Sequence, residues 1–146
     1  PVHDNQITNA ITVNDVDSST LAGATVQITT NCASGEDVLA LTPSPQNGIT
    51  GTYTAGTCTL ALTGTSSLAN YQAALRTVSY SNSSNNPSTL TRTVSLTVND
   101  GGSVNNTSNT PTRNVSVTAV NDPPTANGFT NLPAQAGIKI TYPAGK

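Results

Sequence analysis

The residues able to do chemistry in this chain are few, which makes their placement informative. Of 146 residues only seven are acidic: Asp4, Asp15, Asp17, Glu36, Asp37, Asp100 and Asp122. Each falls in a stretch that reads as loop or connector, and none reads as the interior of a strand. Asp15-Val-Asp17 puts two carboxylates on one side of an extended segment, because alternate side chains share a face, and Asn14 and Ser18 add neutral oxygens. Asp4 and Asp122 each stand beside an amide, Asn5 or Asn121, while Asp100 precedes Gly101-Gly102, where the backbone can bend so that carbonyls face inward. Hard oxygens gathered in loops are what Ca²⁺ requires, since it takes six to eight of them. The competing reading is turn chemistry, in which Asp and Asn fold their own backbone into Asx-turns. That reading accounts for each acid singly and less well for nearly all of them together, so Ca²⁺ is the expected cofactor.

Other chemistries find too few residues. A nucleophile needs a base and a group to orient it, and the chain has one His, His3, in its N-terminal connector, so no triad and no enzyme are expected. Two Cys and one His fall short of a structural zinc site, and the phosphate-binding glycine signatures are missing. The five cations, Arg76, Arg92, Arg113, Lys139 and Lys146, are scattered without aromatic partners, which argues against nucleic acid. No apolar run approaches the roughly 20 residues that cross a bilayer, which argues against membrane insertion. Cys32 continues the inward parity of Ala24, Val26 and Ile28, and Cys58 shares parity with Leu60 and Leu62. Both should face the core, either as an inter-strand or inter-sheet disulfide, which would imply an oxidising compartment, or as two buried thiols acting as small hydrophobes.

The elements that must hold these residues follow from composition and period. Hydrophobic residues make up 34% and aromatics 3%, with one Phe, four Tyr and neither Trp nor Met, so any core is built from Val, Leu, Ile and Ala. Charged residues are only 8%, and Thr, Ser and Asn dominate the remainder, which suits two-sided strands and turns rather than solvated helices. Period-two alternation recurs between turn residues, the pattern of an all-β antiparallel sandwich. Eight strands are expected: Ile11 and Val13; Ala24, Val26 and Ile28; Leu39 and Leu41, or the opposite face Val38 and Ala40; residues 49–54; Cys58, Leu60 and Leu62; Val78 and Tyr80; Val94, Leu96 and Val98; Val115, Val117 and Ala119. Residues 67–76 break the rhythm, because Leu68, Tyr71 and Leu75 fall at helical spacing behind Ser66 or Ser67 as N-cap. One short helix is expected there, plugging an end of the sandwich.

Four segments result: an N-terminal connector at 1–5, a sandwich at 6–120, a proline-stiffened linker at 121–124, and the start or remnant of a following module at 125–146. Val2-His3-Asp4 parallels Val120-Asn121-Asp122, so the two connectors stand one sandwich apart, as in a string of modules. Eight full traverses would return the chain to the end where it came in, whereas beads on a string need an odd number. One segment therefore cannot traverse. Ile11 to Asn14 is the shortest, and its exclusion would bring Asp15, Asp17 and Asp100 to the pole of Asp4, with Asp122 at the other.

Several motifs keep a fixed order: Asn14-Asp-Val-Asp-Ser18, Leu21-Ala-Gly-Ala-Thr-Val-Gln-Ile28, Gly35-Glu-Asp-Val-Leu39, Asn47-Gly-Ile-Thr-Gly51, Tyr71-Gln-Ala-Ala-Leu-Arg76, Val98-Asn-Asp-Gly101 and Val120-Asn-Asp-Pro123. Together, from about residue 4 to 124, they resemble the cadherin-like tandem repeats of large bacterial surface proteins and adhesins. The resemblance implies an antiparallel Greek-key β-sandwich of the cadherin or immunoglobulin type, with Ca²⁺ at the junctions between modules, held first by Asp15, Asp17, Asp100 and Asp122, then by Asp4, with Glu36 and Asp37 as weaker candidates. The connector reads Asn121-Asp-Pro-Pro rather than the fuller Asp-x-Asn-Asp-Asn-x-Pro of animal cadherins, and the Cys pair is atypical of the bacterial repeats. The implied function is a calcium-stiffened extender in a secreted or cell-surface adhesin, with neighbouring modules as partners and surface ligands engaged through other domains. The alternative is a module that itself binds carbohydrate, protein or ice.

Overall fold

A computed structural model describes residues 5–103, 105–120 and 124. Within it the chain runs through β1 (Asn5–Gln6), β2 (Thr20–Thr30), β3 (Asp37–Leu41), β4 (Thr50–Thr54), β5 (Thr59–Ser67), α1 (Leu68–Arg76), β6 (Val78–Asn82), β7 (Arg92–Asn99) and β8 (Thr112–Val115). These form a three-stranded sheet in the order β1-β6-β3 and a five-stranded sheet in the order β4-β5-β2-β7-β8. Every pairing is antiparallel. The architecture is the expected all-β sandwich with one short helix, and β2 lies between β5 and β7, neither of them its neighbour in sequence.

Alternation decides which face each strand buries. Ala24, Val26 and Ile28 of β2, Leu60 and Leu62 of β5, and Val94 and Leu96 of β7 point inward from the five-stranded sheet. They meet Leu39 and Leu41 of β3 and Val78 and Tyr80 of β6. Of the two faces open to β3 in the sequence, Leu39 and Leu41 are therefore the buried one. Each fully buried Leu, Ile or Val contributes about 1.5–3 kcal/mol, which is how a core almost without aromatics suffices.

Helix α1 begins where expected. The Ser67 hydroxyl accepts the Asn70 N–H at 3.1 Å, and Tyr71, Ala74 and Leu75 close one end of the core. The Tyr71 hydroxyl reaches back to the Gly64 carbonyl. Gly64 has φ +117°, and a Cβ there would run into the Gly48 carbonyl oxygen, so the β5 backbone presses directly on the turn before β4.

The expected first strand does not form. In place of a partner strand, the helix takes the backbone groups of this segment: the Ile11 carbonyl accepts from Arg76 Nε at 2.9 Å, and the Val13 N–H donates to Gln72 Oε1 at 3.0 Å. Val13 remains buried without belonging to a sheet. Ile11 to Asn14 is thus a segment that does not traverse, and pairing with β6 starts instead at Asn5–Gln6. Two further boundaries move. Cys58 precedes β5 in a turn with φ +52° rather than lying in the strand, and β8 stops at Val115, short of Val117 and Ala119. The linker residues 121–123, the N-terminal residues 1–4 and the following segment 125–146 lie outside the described residues.

Candidate metal centre

The loop before β2 and the end of β7 meet because antiparallel pairing sets Gly23 opposite Asn99. Asp15 Oδ1 accepts the backbone N–H groups of Asp17 at 3.0 Å and Ser18 at 3.2 Å, so the loop folds on its own first carboxylate instead of running extended. Val16, between the two acids, is left fully exposed. On the other side, Asp100 is fixed by its own N–H to the Asn106 carbonyl at 3.1 Å, and its Oδ2 receives the Ser18 hydroxyl at 3.3 Å. Its Oδ1 accepts Gly102 N–H at 2.7 Å, with Gly101 at φ +83° making the bend.

Carboxylate oxygens of Asp15, Asp17 and Asp100 consequently lie within 4.8 Å of one another. Crowding of like charge is visible in their proton affinities. The Asp17 carboxyl is held above its usual 3.8 by the hydrogen bond it makes to Asp15 when protonated and by the charges of Asp15 and Asp100. The Asp15 carboxyl is held below it, chiefly by the Asp17 backbone N–H and then by the Asp17 side chain. The three acids border a depression of about 400 Å³ that Asn14, Asn105 and Asn106 also line. The lining also holds the Thr107 and Ser108 hydroxyls but neither sulfur nor imidazole, so its side-chain donors suit a hard cation such as Ca²⁺ rather than a soft one.

The other candidate acids go elsewhere. Asp37 is not in a loop but opens β3, fully buried, at the opposite end of the sandwich. Its Oδ2 pairs with Arg92 Nε at 3.0 Å and accepts the Ala33 N–H at 2.8 Å. Its Oδ1 takes Asn82 Nδ2 at 2.7 Å, the Tyr80 hydroxyl and the second arm of Arg92. With both oxygens committed and no route to solvent, Asp37 is a core ion pair and not a metal ligand. Burial alone would raise its pKa, but Arg92, Tyr80, Ala33 and Asn82 outweigh that and hold it low. Tyr80 moves the other way, pushed up to about 12 by burial and by the carboxylate it serves. Glu36 sits in the turn just before, its backbone carbonyl tied to the Ser83 N–H at 3.0 Å, and so at the wrong end to join the cluster. Asp4 and Asp122 lie outside the described residues.

Sequence reasoning passed over Arg92. Its signal is parity: Arg92 shares the inward face with Val94 and Leu96, and a cation there demands a buried anion. The cysteines do pair. Cys32 and Cys58 form a disulfide across a Cα–Cα distance of 6.6 Å, joining the turn after β2 to the turn before β5. Cys58 is buried and Cys32 half-buried.

Comparison with family models, curated proteins and solved structures gives no match. Among the described residues no helix is long and apolar enough to cross a membrane. Fold and site together define a disulfide-bonded all-β sandwich with an acidic, oxygen-lined pole.

Proposed function

We propose that this chain is a calcium-stiffened extender module of a large secreted or cell-surface adhesin, a cadherin-like repeat that spaces adhesive domains rather than binding a target itself. The observation that carries this reading is the convergence of Asp15, Asp17 and Asp100, three of the chain's seven acids, from segments far apart in sequence. Ca²⁺ bound there would supply the positive charge that relieves their mutual repulsion. Asp15 holds the loop closed through its two backbone hydrogen bonds, and Asn106 and Ser18 hold Asp100 in place opposite. The remaining oxygens of a six- to eight-fold shell would come from the neighbouring Asn side chains, from water, and from the connector acid Asp4, while Asp122 would serve the junction at the other pole. The disulfide supports an oxidising, extracellular setting, because such bonds persist there.

Thermal melts in Ca²⁺ and in chelator test the reading. Calcium at one hundred times its Kd should add about 2.7 kcal/mol, and Asp15→Asn with Asp17→Asn should abolish most of that gain. Identical melts with and without the ion would defeat it. The alternative, a module that itself binds carbohydrate, protein or ice, is favoured by a groove of about 500 Å³ between residues 10–14 and 108–111, floored by Leu75, Leu96 and Val98. Binding of the isolated chain on a glycan array would move the balance to it.

A further inference from the structure

We propose that the Cys32–Cys58 disulfide is a bypass for tension, which keeps a defined part of the sandwich out of the force path when the chain is pulled by its ends. The argument is topological. Tension travels along the backbone, and between these residues, 26 apart in sequence, it has two routes: the intervening chain or the single sulfur bridge. The bridge is far shorter, so it carries the force while the intervening chain stays slack. That slack ring contains the whole of β3 and β4, one strand from each sheet. It is cross-tied internally by Ser34 Oγ to the Ala55 carbonyl at 3.0 Å and by the Tyr53 hydroxyl to the Asp37 carbonyl at 2.8 Å. When β2, β5 and β7 are drawn apart, the ring therefore passes through the transition as a closed unit, ready to present β3 and β4 again on relaxation.

The bypass has a length attached. A separation of 26 residues at up to about 3.6 Å each is about 90 Å of chain that tension cannot release while the bond is intact. The biological weight of this rests on the extender reading, but the length does not depend on calcium, so the two can fail separately.

The test is single-molecule stretching of the chain held by its two ends, first oxidised, then in dithiothreitol, which closes its own cyclic disulfide and leaves Cys32 and Cys58 as thiols. Reduction should lengthen the unfolding step by about 90 Å, equally in calcium and in chelator. The double variant Cys32→Ser/Cys58→Ser should show the long step without reductant. If that variant does not fold, the same wild-type molecule, unfolded once and then reduced, supplies the comparison. Steps of equal length before and after reduction would overturn the bypass. A short oxidised step with an unfolding force indifferent to calcium would uphold the bypass and overturn the calcium reading instead.

Discussion

The two ends of the sandwich treat the same side chain in opposite ways. At one end Asp37 is sealed from water and answered by Arg92, Tyr80, Asn82 and a backbone N–H. At the other, Asp17 is exposed and Asp15 and Asp100 half-buried; the three crowd one another and meet hydroxyl and backbone N–H donors but no cation among the described residues. The two ends are separated by the run of β7 from Arg92 to Asp100, about 26 Å at 3.3 Å per residue. The contrast shows how an acid's role follows from its surroundings: one end completes its electrostatics internally, while the other gathers negative charge that no cation among the described residues pairs.

The largest effect should come from breaking the sealed end. Arg92→Ala strands a buried carboxylate and should cost about 3–5 kcal/mol in urea denaturation, while the calcium-dependent rise in melting temperature persists in whatever remains folded. Removing the disulfide comes next. For a 26-residue loop the chain-entropy model gives about 3.5 kcal/mol, read as a lower urea midpoint for Cys32→Ser/Cys58→Ser.

Protons should separate Asp37 from Asp17 by sign, with Asp15, held low like Asp37, adding to the loss at the acid end. Asp37 has a depressed pKa, so its contribution is full above 3.8 and lost as pH falls through the depressed value. Asp17 has a raised pKa, so its charge opposes folding at neutral pH and the opposition fades as pH falls through that raised value. In calcium-free buffer, acidification should first raise the melting temperature slightly and then lower it; saturating calcium should erase the initial rise, because cation and proton compete for the same oxygens. A monotonic fall in both buffers would remove the contrast. The smallest change is Ser67→Ala, which deletes the N-cap of α1 at a cost of about 1 kcal/mol. It should lower the melting temperature by the same amount with and without calcium.

Much of this layout is legible in the sequence. Val26/Ile28, Leu60/Leu62 and Val94/Leu96 announce their strands, and Leu68, Tyr71 and Leu75 announce the helix, because in each the apolar period matches the geometry of the element. The meeting of Asp15 with Asp100 is also readable, from the need for one segment not to traverse. What the sequence leaves dark is who satisfies whom. Ile11 and Val13 alternate like a strand, and nothing in a period of two reveals that Arg76 and Gln72 take their backbone groups. Asp37 stands between a turn and Val38, so its type suggests a loop. Only the inward parity of Arg92, read together with that of Leu39 and Leu41, marks it as half of a buried pair.

The contact between Gly64 and Gly48 reaches into heredity. Every missense change from a glycine codon, which alters its first or second base, installs a side chain, and any side chain at residue 64 would begin with a Cβ pressed into the Gly48 carbonyl oxygen. A change at either base therefore forces the backbone at residues 48 and 64 apart, and only the silent third base escapes that cost.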